Sequence, residues 1–450
     1  MLILHFKNFI RSRLAVTGLA VVLGAGIVSL FIGREHLRER QNDVARVAQI
    51  QREHIRHNVK VLNGEMGLLL YYLRFGLVNQ THPLNALSIG QRDVNPSIQR
   101  VTIRNLENQK YDTDLFNPTN LQAGNLDLGF VLIYLFPLLV IAFTYNVLSE
   151  EKEGSTWKLI LAQSNGAVRL LVQKFAVRAA AVFAALAGLL VLAAGLLSLP
   201  LDAEFLAAVL LSVLYVLCWF AISFWVVSWQ KSSGTNAVSL LSGWLLLTVL
   251  VPGAVNSYLS HAYPVPEALA TAVKQREGYH EKWDMDKGVT MDKFYAHYPQ
   301  YRQYPLPDKQ FSWLWYYAMQ QMGDDEARQE AAALRAKLWQ RENASQFIAC
   351  FFPTLHAQHQ MSTLAGAGLA NHLRFLDHTT RVHEELRLHF YPKIFGEAPI
   401  NEENWEAFRV AFFSEDRAVN WVALLLPLVS LTGLFAGMSS LNLRKLRPSD

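Results

Sequence analysis

Six stretches of this chain run without a single Asp, Glu, Lys or Arg for about the length of a bilayer crossing. They are Leu14–Ile32, Leu128–Leu148, Ala179–Leu199, Phe205–Val227, Ala237–Leu259 and Val419–Leu441. An α-helix rises 1.5 Å per residue, so roughly 20 residues cover the hydrocarbon core of a bilayer. No other feature restricts the fold as strongly, because a chain crossing lipid must satisfy its backbone internally and only helices or closed barrels do so. Of the 450 residues, 52% are apolar and 17% are charged, whereas a soluble domain carries about 25% charge. The apolar excess lies in blocks, which points to an integral membrane protein with polar segments between its spans. A net charge of +4 is too small and too scattered to indicate nucleic acid, and its sign suits an anionic membrane surface.

Six spans put both termini on one side. Lys7, Arg11 and Arg13 precede the first span, and Arg444, Lys445 and Arg447 follow the last. The short loop at Lys231 is basic, and the one at Asp202 and Glu204 is acidic. The positive-inside rule then places both termini and the Lys231 loop in the cytoplasm. Residues 1–13 mix apolar and basic positions and read as a helix in the membrane interface. The run Leu14–Ile32 is long for a secretory h-region and no A-x-A site follows it, so a retained first span is expected. Two segments fall outside, 33–127 and 260–418. In the first, Glu35–Lys60 is charged and nearly free of Gly and Pro, and reads as a helix continuing the first span. A further helical stretch is expected at Gly64–Phe75, and a short strand at Val101–Ile103. In the second, Asp324–Phe347 and Leu369–Tyr391 predict long helices. Pro137 and Pro252 sit inside the second and fifth spans and mark expected helix kinks.

The most unusual stretch is the cytoplasmic turn 149–174 between spans two and three. Glu150, Glu151 and Glu153 crowd its start, followed by Gly154, Ser155 and Thr156. Trp157, Leu159, Ile160 and Leu161 then give an apolar ridge. A carboxylate cluster at a helix N-terminus is favoured by the helix dipole, but three glutamates oppose the cationic bias of cytoplasmic loops. An apolar ridge flanked by charge is what a groove on a soluble partner holds. The chain contains no G-x-x-x-x-G-K-[ST], no H-E-x-x-H and no G-x-S-x-G, so it does not hydrolyse ATP through a P-loop. Cys218 lies in a span and Cys350 in a polar segment, so neither a disulfide framework nor a thiolate zinc site is expected. His356 and His359, three apart, are the one tempting metal pair; with no carboxylate or cysteine at ligand spacing they read as a polar helix face.

On these residues the chain resembles the membrane subunits of ABC-2 type transporters. These share six spans and an acidic E-x-x-x-G-T-like sequence after the second, here Glu150, Glu151 and Glu153 with Gly154-Ser155-Thr156. A coupling helix follows, and a lysine, here Lys174, leads into the third span. ALSIGQRDVNP (Ala86–Pro96), Trp244, Pro252, YPVPEA after the fifth span, and Phe351–Arg387 resemble a bacterial subgroup with an uncharacterised helical domain between spans five and six. The resemblance implies a mainly α, six-helix permease of the type V exporter kind with two external, mostly helical segments. Its parts would be an interfacial helix and first span (1–32), a first external segment (33–127), spans two to five (128–259), a second external domain (260–418), and the sixth span with a basic tail (419–450). Glu150, Glu151, Glu153, Gly154, Thr156, Trp157 and Leu159 would dock two copies of a separate ATP-binding-cassette ATPase. ATP and Mg would sit on that partner, and a second permease subunit, identical or similar, would complete the path. The expected location is a bacterial inner membrane. Two other readings stand beside export: a subunit that transmits force to periplasmic partners without transport, and an external metal-binding enzyme or sensor held by its spans.

Overall fold

The computed structural model describes residues 2–93, 95–110, 125–154, 167–266, 283, 285–308, 310–415 and 418–444. The chain opens with α1 (Leu2–Arg11) and α2 (Arg13–Val61). The first polar segment holds α3 (Met66–Tyr72), β1 (Phe75–Asn79) and β2 (Ile98–Val101). Four apolar helices follow: α4 (Leu128–Glu153), α5 (Ala167–Leu196), α6 (Ala203–Val227) and α7 (Ser233–Ala262). The second polar segment holds α8 (Lys287–His297), α9 (Trp313–Ala349), α10 (Pro353–Leu364), α11 (Leu369–Phe395) and β3 (Ala411–Phe413). The last helix is α12 (Trp421–Arg444). Among the described residues six helices are long and apolar enough to cross a membrane: α2, α4, α5, α6, α7 and α12.

The spans are unequal. In their most apolar stretches 67% of α4 and 56% of α6 is buried, against 11% of α7 and 17% of α12. α4 and α6 therefore form the axis of the bundle, and the others lean on it with one face towards lipid. The fully buried side chains Trp219, Tyr215, Phe136 and Phe143 make the centre of that axis. α2 is more than a span. Its 49 residues extend about 73 Å, more than twice the hydrocarbon thickness, so its second half stands clear of the membrane. Close packing sets its lower half: a Cβ on Gly26 would lie 2.6 Å from Leu189 Cδ1 of α5. Where α2 leaves the bundle, Gly33 is pressed against the loop 83–86, and a Cβ there would lie 2.0 Å from the Ala86 carbonyl oxygen.

The two polar segments, far apart in sequence, form one extramembrane unit. Ile55 of α2 and Met66, Leu69 and Leu70 of α3 share a core with Phe294, Tyr298, Tyr301, Tyr317, Phe390 and Tyr391. A three-stranded sheet in the order β2-β1-β3 crosses the same divide. β1 pairs antiparallel with β2 (Phe75 opposite Val101) and parallel with β3 (Leu77 opposite Ala411). The strand expected at Val101–Ile103 thus ends at Val101, and β1 and β3 are additions to the helical reading.

Two buried arginines tie the unit together. Arg387 of α11 donates to the carbonyls of Ile103 and Arg104 and to Asp324 Oδ2 at 3.1, 2.7 and 2.7 Å. Asp324 in turn accepts the backbone N–H groups of Leu106 and Glu107. Arg92 donates to the carbonyls of Asn79, Gln80 and Gly366 at 3.2, 3.0 and 3.0 Å. Loops whose carbonyls are buried need such donors, and a guanidinium supplies five in fixed directions.

Candidate functional site

The end of the bundle opposite the extramembrane unit carries the acidic turn. α4 loosens at residues 145–148 and closes with the helical turn Ser149–Glu153. Glu150, Glu151, Glu153 and Gly154 are therefore in view, whereas Thr156, Trp157 and Leu159 lie outside the described residues. The three glutamates are not equivalent. Glu151 pairs with Lys174 of α5, closing the base of the hairpin. Glu153 reaches the start of α7, accepting from Ser233 N and Ser233 Oγ, both at 2.8 Å. A helix start presents N–H groups with no intrahelical acceptor, and a carboxylate satisfies them while meeting the positive end of the dipole. The Glu150 carboxylate is exposed and takes no hydrogen bond or ion pair from the described residues; its charge acts on Arg178 of α5.

The surrounding contacts turn this end into a platform. Ser149 and Ser233 hydroxyls lie 2.7 Å apart. Lys152 Nζ donates to Gln230 Oε1 at 2.9 Å, and Asn236 Nδ2 donates to the Tyr145 carbonyl at 3.1 Å. Ser232 caps α7 through its hydroxyl, which accepts Thr235 N; this is the usual role of serine at that position. Arg178 of α5 donates to the Phe143 carbonyl and to Asn146 Oδ1, where α4 has lost its own donors. Its guanidinium also lies 5.8 Å from the Phe9 ring, which meets Phe143 edge-on at 4.8 Å. Asn442 Nδ2 of α12 donates to Ser228 Oγ at 3.0 Å. Residues from α1, α4, α5 and α7 thereby meet near one exposed carboxylate, and α12 is tied to Ser228 at the start of the loop that carries Gln230 and Ser232.

At the far end of α4 the helix widens into a π-helical turn, Val131–Leu135, just before Pro137. α7 does the same at Leu246–Leu250, just before Pro252. Proline has no N–H to give and crowds the carbonyl four residues back, and the wider turn relieves that crowding. In an α-helical register residue 137 would serve the Ile133 carbonyl. Tyr215 Oη of α6 serves it instead, at 2.8 Å. Trp244 Nε1 of α7 serves the neighbouring Tyr134 carbonyl at 3.2 Å. Thr354 Oγ1 of α10 lies 3.5 Å from the same Tyr215 hydroxyl; Ile133, Tyr215 and Thr354 are buried, and Tyr134 and Trp244 are half-buried. α10 belongs to the core of the spans: its Ala357, Met361 and Leu364 join that cluster.

His356 and His359 lie on α10. His356 is buried, with its Nε2 2.9 Å from the Leu424 carbonyl of α12. His359 Nε2 stands 3.8 Å from Glu342 Oε1. Among the described residues no group of three or more His, Cys, Asp or Glu is arranged to hold a metal ion. Lys152, Tyr215, Ser233 and Asn236 carry no functional signal in the sequence. Arg178 does carry one, since an ionisable residue at the edge of an apolar span marks a place with a specific partner.

A family model described as ABC-2 family transporter protein matches residues 4–282. A second, described as domain of unknown function (DUF3526), matches residues 268–413. No curated protein and no solved structure gives a significant match.

Proposed function

The chain belongs to the ABC-2 family of transporter proteins, and on that premise we propose that it is the permease of a bacterial inner-membrane exporter driven by a separate ATPase. Family membership already makes it a multi-pass membrane subunit of an ABC transporter system. The finer reading is that two ATPase copies dock on the hairpin 149–174, that a second permease subunit completes the assembly, and that both termini are cytoplasmic. ATP and Mg bind the ATPase chains. The observation that supports this most is the platform itself: α4, α5 and α7 braced by polar contacts around an outward-facing Glu150. A surface that receives a push must be stiff, and an exposed carboxylate that takes no hydrogen bond from the described residues is open to an external partner. The Pro137 turn at the other end of α4 is where an applied displacement would bend the span. ATP drives the cycle only by favouring one arrangement of the pair over the other.

Charge reversal at single sites tests the docking. Glu150→Lys should weaken recruitment of the ATPase at least tenfold and leave the permease as stable as before. Glu153→Lys serves as the comparison, because it removes the acceptor at the start of α7 and so perturbs the fold as well. Recruitment unchanged in Glu150→Lys counts against the docking role.

One observation favours force transmission as a second reading. α10, within the domain of unknown function, is packed against α6 and α12 and touches Tyr215 beside the α4 turn. Movement of the spans would therefore reach the extramembrane unit directly. An assembled dimer with a sealed interface supports this reading, and one with a continuous cavity supports export.

A further inference from the structure

On the flank of the extramembrane unit, α2, the end of α3 and the antiparallel pair β1–β2 line a half-open cavity of about 280 Å³. Its walls include Val47, Ile50, His54, Tyr72, Arg74 and Arg100, and among the described residues no Asp or Glu lines it. Arg100 stands opposite Gly76, and Arg74, just before β1 and two residues from Gly76, lines the same cavity. Gly76 contributes no side chain between them, which leaves a notch, and its bareness is required by packing: a Cβ there would lie 2.9 Å from Gln51 Oε1.

The other polar groups in the wall are already committed. Gln51 accepts from Gly76 N and donates to the Phe408 carbonyl. His54 Nε2 faces the Tyr72 carbonyl at 3.2 Å, so it donates there, and Nδ1 takes the Asn58 amide at 3.1 Å. The side chains of Arg74 and Arg100 belong to exposed residues, and their guanidinium groups form no hydrogen bond or ion pair with the described residues. Like charges that line one cavity repel each other. Two guanidinium groups lining one cavity with no carboxylate in the described wall are the arrangement that an oxyanion completes, since each offers a forked pair of donors.

We propose that this cavity binds a small soluble organic oxyanion, a carboxylate or a phosphate monoester. Arg74 and Arg100 hold the oxygens, and Val47, Ile50 and the Tyr72 ring pack against the apolar body. A lipid headgroup is out of reach. Val47 is 15 and Asn58 is 26 residues beyond Ile32, where the apolar run of α2 ends, which puts the site about 22–39 Å past the hydrocarbon layer.

The test uses the full chain in a non-ionic detergent, with benzoate and inorganic phosphate as probes in separate arms. Thermal unfolding should shift upward with anion concentration and saturate, and titration calorimetry should give one site per chain. Tighter benzoate binding assigns an organic carboxylate with an apolar body; tighter phosphate binding assigns a phosphate monoester. Arg100→Gln should weaken either response at least tenfold while its anion-free melting temperature stays equal or rises, because a repulsion is removed. Arg52→Gln, on the outer face of α2, should respond like the unaltered protein. No saturable response to either probe, or an unchanged response in Arg100→Gln, would overturn the proposal.

Discussion

Replacing Tyr215 with Phe removes one hydroxyl from the centre of the bundle and nothing else. That hydroxyl is the donor to the Ile133 carbonyl at 2.8 Å. The carbonyl needs it because residue 137 is proline, so the helix cannot supply its own N–H. An unsatisfied buried acceptor costs about 1–3 kcal/mol in proteins generally. Hydrogen bonds between membrane helices average closer to 0.6 kcal/mol, because the unfolded chain in lipid finds other partners. Tyr215 and Ile133 are both fully enclosed by protein, so we place the loss at about 1–2 kcal/mol. Pro137→Ala gives the helix back its N–H. In that background Tyr215→Phe should cost less than about 0.5 kcal/mol, leaving a coupling of about 1 kcal/mol between the two sites. Reversible unfolding in bicelles, measured for both single variants and the double variant, gives this number. If the two losses simply add, Tyr215 is not replacing the missing proline donor, and the account of the α4 turn is wrong.

Three further outcomes follow from contacts already described. Gly33→Ala should destabilise the chain by several kcal/mol, because its Cβ would collide with the Ala86 backbone, whereas Gly24→Ala, with nothing within 4 Å, should be neutral or stabilising by up to about 1 kcal/mol; melting temperatures of the pair decide it. Arg387→Met should cost about 3–5 kcal/mol by stranding Asp324 and two carbonyls, and adding Asp324→Leu should recover part of that loss, as seen by limited proteolysis of the extramembrane unit. Acidification should also weaken that unit. Burial and then the Arg92 charge push His372 down from 6.5 to about 4; burial and the nearby guanidinium groups of Arg381 and Arg387 lower His378 and His383 too. The folded state therefore binds fewer protons than the unfolded state below 6.5, and stability falls as pH drops from about 6.5 towards 4. His372 alone contributes about 3 kcal/mol across that window, and His372→Gln should flatten the slope between pH 6.5 and 5.

The spans were legible because lipid imposes one signal, the absence of charge over a fixed length, and a sequence states it directly. The length of α2 was legible for the same kind of reason, since nothing between Glu35 and Lys60 breaks a helix. The joining of the two extramembrane segments was not. β3 is three residues long, and its partner Leu77 lies more than 300 positions from Ala411; neither strand alternates clearly, because β1 is buried along its whole length. The clamps Arg92 and Arg387 were hidden because their partners are mostly carbonyls, which every residue has. At the hairpin, the crowding of three glutamates was plain, but their division of labour was not. Ser233, which holds Glu153, is 80 positions away, and only the fold brings it beside the turn. Glu150 is left as the member of the trio that faces outward.

The central claim is that this outward-facing turn is the seat of an ATPase, and a cysteine at Glu150 tests it most directly. Cys218 and Cys350 are first replaced by Ala and Ser, and Glu150→Cys is introduced into the chain expressed with its partner ATPase. A short bifunctional maleimide–amine linker added to inside-out membrane vesicles should then join permease and ATPase at position 150, and an impermeant maleimide added to intact cells should leave it unlabelled. Labelling from outside the cell, or a co-purifying ATPase that never crosslinks to position 150, would contradict the account.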